Sequence, residues 1–200
     1  MSNFVHLHLH SGFSLLDGAC DHETLAQTAA KYKMPAVAVT DHGNLFGAIG
    51  FYEAAQKAGV KPIIGCEMYI SKTNRLDRDP QSGRPHHLIV LCENEKGYQN
   101  LVKLVSRGYL EGFYYKPRID KELLREHSEG LIGLSACLNG EVASNLLAGR
   151  ADQAEKATRK RPIESAAFLW CRIWCRDPRV PKLTGCAELH FSIAKMTQSH

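Results

Sequence analysis

Short apolar runs alternate with amphipathic segments through the first 160 residues, and this alternation limits the fold more than any other feature of the sequence. The runs include "AVAVT", "PIIGCEMYI", "HLIVLC" and "LIGLSAC". The segments between them have helical periodicity, and the last one reads as a single helix over 140–160. Parallel neighbouring strands require a crossover connection, which is usually a helix. The pattern therefore predicts an α/β fold with parallel strands.

Composition limits the class of protein. With 200 residues and 44% apolar composition, the chain can bury a core of ordinary size. It contains no run of eighteen apolar residues and no N-terminal signal peptide, so we expect no membrane association. The seven cysteines are odd in number and mostly isolated in apolar runs, which favours reduced thiols and a cytoplasmic location.

Charge and periodicity both change near residue 160. The net charge is +4, yet residues 1–158 hold seventeen Lys and Arg against eighteen acids, and 159–200 hold eight against three. Both tryptophans and three of the cysteines also lie in this tail. We therefore predict one domain over 1–160, followed by a distinct segment over 161–200.

The stretch "FVHLHLHSGFSLLDG" carries three histidines at alternate positions. On a strand, residues two apart share a face, so we expect the imidazoles of His6, His8 and His10 to point together. Asp17 lies before Gly18, where it reads either as an ordinary turn residue or as a further polar ligand.

Other residues that can bind metals lie at the boundaries of the later strands. They are Asp41 and His42, Glu67, His86 and His87, and Cys137. In α/β proteins, functional side chains gather at the carboxyl ends of the strands. The sequence therefore predicts a metal site at the C-terminal rim of the strands.

The donor types indicate which metals and which chemistry to expect. Imidazole, carboxylate and thiolate donors fit zinc or manganese, or iron, better than magnesium or calcium. The candidates outnumber the ligands of one tetrahedral site, which indicates two or three divalent ions. Clustered divalent ions suit phosphoester hydrolysis, and the two oxygens of Glu67 could bridge a pair.

The motifs "HLHLHSGFSLLDG", "TDHGN", "GCE" and "HHLIVL" resemble those of the polymerase and histidinol phosphatase (PHP) superfamily. The sequence between these motifs, including "YLEGFYYKPRID", is most similar to the N-terminal PHP domains of bacterial replicative DNA polymerase III alpha subunits. The resemblance runs from Phe4 to about Lys160. It implies a distorted (β/α)7 barrel with up to three metals on its C-terminal rim.

Motif by motif, the resemblance also implies a ligand set. Its members are His8, His10, Asp17, His42, Glu67, His87 and Cys137. It leaves His6 as a second-layer or packing residue. Asp41 is placed to orient His42, because metal-bound imidazoles usually donate their other N–H to an acceptor.

The resemblance implies three alternative functions. The first is a metal-dependent phosphoesterase of the 3′–5′ exonuclease type, acting on DNA during replication. The second is a non-catalytic module that supports the rest of the polymerase and its proofreading or clamp subunits. The third is a free-standing small-molecule phosphatase. Lys116 and Arg118 are candidate contacts to a DNA phosphate, and they could equally form surface ion pairs.

The tail departs from the resemblance. Residues 161–200 contain no Asp-x-His pair, which the family's barrel supplies near its last strand, and the polymerase regions are missing. We therefore expect an incomplete barrel that is not a polymerase by itself. A shifted reading frame near residues 160–162 would explain the tail. The alternative is a divergent helix with a zinc-binding "CRIWC" hook.

Overall fold

Strands and helices alternate along residues 4–159, the part of the chain that the computed structural model describes. In chain order they are α1 (His22–Lys31), β1 (Ala36–Val39), α2 (Ala48–Lys57), β2 (Lys61–Ile70), a 3-10 turn (Pro80–Ser82), β3 (His86–Cys92), α3 (Glu95–Leu110), β4 (Phe113–Tyr114), β5 (Lys116–Ile119), α4 (Lys121–Glu126), β6 (Leu131–Leu134), α5 (Glu141–Leu147) and α6 (Ala151–Arg159). The predicted boundary at residue 160 and both interpretations of the tail lie outside the described residues.

The sheet is mixed, with β2 near its centre. The strand order is β4-β5-β2-β3-β6, and β1 also pairs with β2. β1 and β5 run parallel to β2, as predicted. The predicted α/β fold with parallel strands is therefore confirmed, although β3 runs antiparallel to both β2 and β6. The reason is the connection over 71–85, which contains a 3-10 turn and no crossover helix, so the chain reverses direction.

The N-terminal histidine segment is extended but is not the regular strand that its alternation predicts. The His6 carbonyl accepts from the Ala38 N–H at 2.8 Å, and the Leu9 carbonyl accepts from the Thr40 N–H at 2.8 Å. The pairing offset thus changes by one residue between these two bonds, as it does at a bulge. The Leu9 N–H donates to the Thr40 side-chain hydroxyl instead of a backbone carbonyl.

The alternation along β2 separates core from site. Cys66, Met68 and Ile70 face a core that α3 and α4 complete with leucines such as Leu101 and Leu123. A second apolar cluster packs α1 and α2 against β1. Because residues two apart share a face, Glu67 and Tyr69 lie on the opposite side of β2 from this first core.

Two local features differ from the sequence prediction. The helix predicted over 140–160 is two helices, α5 and α6, because Gly149 adopts a left-handed φ of 71° between them. The β4–β5 hairpin and α4 were not predicted as separate elements. None of the described helices is long and apolar enough to cross a membrane.

A network of ion pairs attaches the long β2–β3 connection to the helices beside it. The Arg75 guanidinium donates to Glu111 at 2.7 Å and to Asp120 at 2.9 Å. Arg107 donates to the other Glu111 oxygen at 2.6 Å. The hydrogen bonds from Arg107 and then Arg75 lower the pKa of Glu111 to about 2.

We expect Glu111→Gln to reduce stability at neutral pH, and we expect the difference from the parent chain to vanish in acid. The Glu111 pKa is about 2 in the folded chain against an ordinary value of 4.5. A lowered pKa stabilises the fold above the ordinary value, and this stabilisation is lost as the pH falls through the folded value. Urea unfolding between neutral pH and pH 2 measures the effect. The matched control is Glu53→Gln on α2, and a difference that does not change with pH would contradict the assignment.

Candidate metal centre

The buried carboxylate of Glu67 lies at the centre of the predicted ligands. Its side chain is 2% exposed. One oxygen, Oε2, is 2.8 Å from His8 Nε2 and 2.9 Å from His10 Nε2. The other, Oε1, contacts Nδ1 of His87. A carboxylate that meets an imidazole on each oxygen is placed to bridge two cations.

Only two of the three alternating histidines meet at this carboxylate. The Nε2 atoms of His8 and His10 are 3.1 Å apart. His6 is exposed instead, and its ring packs edge-on against Phe4 at 4.7 Å between centroids. The change of pairing offset after His6 interrupts the strand periodicity, so the predicted convergence of all three rings is corrected to a pair.

Asp17 and His42 extend the cluster on one side. Oδ2 of Asp17 is 3.0 Å from His42 Nε2 and 3.3 Å from His10 Nδ1. The loop that carries Asp17 closes at Gly18, where a Cβ would lie 1.8 Å from the Ser11 carbonyl oxygen. A larger residue would open this loop, so Gly18 fixes the position of Asp17.

His87 and Cys137 extend the cluster on the other side. Sγ of Cys137 is 3.7 Å from His87 Nδ1. His87 pairs with Tyr69, because β3 is antiparallel and begins where β2 ends. His86 points elsewhere, with its Nδ1 3.2 Å from the Asn139 carbonyl oxygen. The cluster therefore lies where β1, β2 and β6 end and β3 begins.

The described residues form three overlapping groups whose ligand atoms lie within 4.8 Å of one another. They are His8, His10 and Glu67; His10, Asp17 and His42; and His42, Glu67 and His87. Nδ1 of His42 is buried without a hydrogen-bond partner in the described structure. Buried polar atoms normally have partners. An orphaned imidazole nitrogen 3.8 Å from the Glu67 carboxylate fits a place where a cation binds.

Comparison with known proteins identifies the family. The PHP domain model matches residues 6–161. This chain belongs to the PHP domain family. It is 51% identical over 160 residues to the DNA polymerase III subunit alpha of Treponema pallidum, covering 79% of this chain and 14% of that protein. It is 53% identical over 156 residues to the subunit of the same name from Borreliella burgdorferi, covering 77% and 14%.

The chain thus spans about 14% of the length of these curated relatives. Among solved structures, a protein from Bifidobacterium adolescentis described as a metal-dependent phosphoesterase is similar with a TM-score of 0.38 and 13% identity. That likeness covers 89% of this chain and 58% of the other.

Electrostatics in this PHP domain show how the buried carboxylate is balanced. Burial alone would raise the pKa of Glu67, but hydrogen bonds from His10, His8 and His87 hold it well below its usual range. Contact with Cys137 and then with Glu67 raises the pKa of His87 to about 9. The same His87 contact lowers the pKa of the Cys137 thiol. Hydrogen bonds from these imidazoles therefore offset the cost of burying the Glu67 charge.

Asp41 has a different role from the predicted one. It is buried, and its carboxylate accepts three hydrogen bonds of 2.7 Å, from the Ser11 N–H, the Ser11 hydroxyl and the Ser14 hydroxyl. Ser14 Oγ in turn accepts from the His42 backbone N–H at 3.2 Å. Asp41 therefore holds the loop of Asp17 in place, rather than orienting the His42 ring. The two serines were not identified from the sequence.

Tyr69 is a site residue that the sequence analysis missed. Its ring lies nearly parallel to that of His42 at 5.9 Å and perpendicular to that of His87 at 5.1 Å. Burial, and then the Glu67 charge, raises its pKa to about 12. The available signal was its position two residues after Glu67, which places both on one face of β2.

The two predicted DNA contacts differ in availability. Arg118 is 4% exposed, and its guanidinium donates to the carbonyls of Gly112, Arg75 and Asp77. It is therefore a structural residue of the loop and not a phosphate contact, which corrects the prediction. The Lys116 amine lies 5.4 Å from the centroid of the Tyr69 ring, beside the metal centre, so Lys116 remains a candidate.

Proposed function

We propose that this PHP domain binds two or three divalent cations and hydrolyses phosphodiesters at the 3′ end of a DNA strand, as part of a replicative polymerase. The observation that carries the proposal is the Glu67 carboxylate, whose two oxygens contact three imidazoles and which belongs to two of the three overlapping ligand groups. Clustered cations held by a shared carboxylate are typical of enzymes that hydrolyse phosphoesters.

The proposed ligands are the seven residues predicted from the sequence. Bound cations would lower the pKa of a water molecule and stabilise charge on the phosphoryl oxygens. The nitrogen-rich donor set with one thiolate favours zinc or manganese, with iron also compatible. Glu67 would contribute to two of the three ligand groups, and Asp17 would complete the group with His10 and His42. Lys116 is placed to contact a phosphate.

The proposed partners follow from the relatives. Both curated proteins described above are named DNA polymerase III subunit alpha, and this chain matches about 14% of their length. We therefore propose that DNA, the remainder of such a polymerase and its proofreading or clamp subunits are the partners, in the cytoplasm. The same observation supports a non-catalytic, supporting module as the second candidate function.

The test combines metal content with hydrolysis. The purified chain is dialysed against zinc or manganese and analysed by elemental mass spectrometry. It is then assayed with bis(p-nitrophenyl) phosphate and with a single-stranded oligonucleotide labelled for 3′ cleavage. We expect at least two metal equivalents, and hydrolysis of both substrates that EDTA removes. His8→Ala/His10→Ala should lose metal and hydrolysis, whereas the matched control His6→Ala should keep both, because His6 lies outside the cluster.

The outcomes separate the alternatives. Bound metal without hydrolysis of either substrate would leave the supporting module as the function. Hydrolysis of p-nitrophenyl phosphate, a small phosphomonoester tested as a third substrate, but not of single-stranded DNA would favour a small-molecule phosphatase. Equal metal content in the double variant and in the parent would refute the proposed centre.

A further inference from the structure

A row of exposed aromatic rings lies close to the metal centre. Its members, Phe46, Tyr109 and Phe113, are 67%, 38% and 48% exposed. The Phe46 and Tyr109 centroids are 6.2 Å apart, and those of Tyr109 and Phe113 are 6.1 Å apart with ring planes within 24°. A folded domain rarely exposes three neighbouring aromatic rings to water, and such a patch often marks a binding site. We call these three residues the aromatic row.

The aromatic row is joined to the metal centre by short covalent and packing connections. Phe46 is four residues after the proposed ligand His42. A Cβ on the intervening Gly43 would lie 2.7 Å from Pro117 and 3.1 Å from Tyr69. Pro117 is the cross-strand neighbour of Phe113 in the β4–β5 hairpin. The turn after His42 therefore packs directly against the hairpin that carries the far end of the row.

Charge near the aromatic row suits a polyanion. Lys116, in the same hairpin, places its amine over the ring of Tyr69, which itself contacts His42 and His87. Glu111, the acid nearest to the row in sequence, is ion-paired with Arg75 and Arg107, so its charge is compensated. A nucleic-acid strand could thus contact the Lys116 amine at the edge of the metal centre and the aromatic row beyond it.

We infer that the aromatic row is a base-stacking platform for single-stranded nucleic acid, and that Lys116 contacts the phosphate between the platform and the metal centre. Every base has a π-face, so stacking on protein rings holds a strand with little sequence preference. The role of this platform in catalysis rests on the proposed function. It would hold the nucleotides next to the 3′ end while the reacting phosphate lies among the ligands.

The test measures whether binding depends on bases. Fluorescence anisotropy compares a labelled oligothymidylate with an abasic strand of equal length, using the full chain in EDTA so that no cleavage occurs. We expect the parent chain to prefer the oligothymidylate. Phe46→Ala and Phe113→Ala should each weaken its binding about 5- to 100-fold, the effect of one lost stacking partner, and should leave abasic binding unchanged.

Two further variants keep the test decisive. Phe46→Trp retains a stacking surface, so it should bind the oligothymidylate at least as tightly as the parent chain does. Tyr32→Ala removes an equally exposed aromatic ring at the end of α1, outside the row, and should change neither binding curve. Unchanged binding by Tyr32→Ala would show that the loss of oligothymidylate affinity is specific to the platform.

Failure of the platform is distinguishable from failure of the proposed function. Equal affinity of the parent chain for the two strands, or variants that bind oligothymidylate normally, would overturn the platform and leave the row as a protein contact. The proposed function is tested separately by hydrolysis of bis(p-nitrophenyl) phosphate, which carries no base. Base-dependent binding without that hydrolysis would support the platform and refute the phosphoesterase.

Discussion

We expect Glu67→Gln to lower the affinity of the domain for zinc or manganese by more than about 100-fold, because even residues that only support metal ligands are worth about 10- to 100-fold. The amide has nearly the same shape as the carboxylate but has one acceptor oxygen and no charge. Glu67 belongs to two of the three ligand groups, so its replacement weakens both at once.

The expected loss has a second cause in the charge balance of the site. Three imidazoles contact the Glu67 carboxylate, and an amide nitrogen in place of one oxygen would point a donor at one of them. A divalent cation brought to the same place would then face imidazoles without the negative charge that offsets its own. Binding and hydrolysis should therefore fall together.

The measurement is a competition titration of each metal against a fluorescent chelator. The matched control is Glu93→Gln, which changes an exposed carboxylate in the turn after β3. An affinity for Glu67→Gln within about threefold of the parent chain would show that Glu67 is not a shared ligand. Thermal unfolding of the metal-free variant, compared with Glu93→Gln, shows whether the fold itself is retained.

Much of the candidate site could be predicted because its residues lie at positions that periodicity identifies. His8 and His10 alternate along one extended segment, and His42 and Glu67 lie at the boundaries of apolar runs. Periodicity could not give the direction of β3, since an apolar run reads the same whether it pairs parallel or antiparallel. The direction of β3 nevertheless decides that His87, at the start of a strand, lies beside residues at the ends of others.

The corrected predictions share a physical cause. His6 leaves the cluster because one extra residue enters the pairing between His6 and Leu9, and a bulge has no signal in residue alternation. Arg118 looks like a surface cation in the sequence, but it donates to the backbone carbonyls of Arg75 and Asp77 in the distant β2–β3 connection, as well as to that of nearby Gly112. Both outcomes depend on contacts between remote segments, which local patterns do not encode.

We expect Asp41→Ala to have the largest effect on stability among the variants considered, about 3 kcal/mol or more, and to weaken metal binding as well. The Asp41 carboxylate accepts hydrogen bonds from one backbone N–H and two hydroxyls, all from the loop that carries Asp17. Ser11 and Ser14 are buried, so the variant leaves their donors without partners and without water. Each unsatisfied buried donor costs about 1–3 kcal/mol.

Metal affinity should also fall, because hydrogen bonds to Asp41 hold the loop that positions the proposed ligand Asp17. Without them, Asp17 is no longer held 3.0 Å from His42 and 3.3 Å from His10, and we expect about a 10- to 100-fold loss of affinity. Ser14→Ala removes only one of the three bonds and should lose less of both quantities. The control Asp152→Ala removes an exposed carboxylate on α6 and should change neither.

Urea unfolding and the same competition titration measure the two effects. If Asp41→Ala lowers stability while metal affinity stays that of the parent chain, the loop does not position Asp17 for binding, and Asp17 is then not a ligand. If both fall and Ser14→Ala lies between, the buried hydrogen bonds of the loop set the geometry of the metal centre. The buried carboxylate of Asp41 then holds the half-exposed carboxylate of Asp17 in place through its hydrogen bonds to the short loop between them.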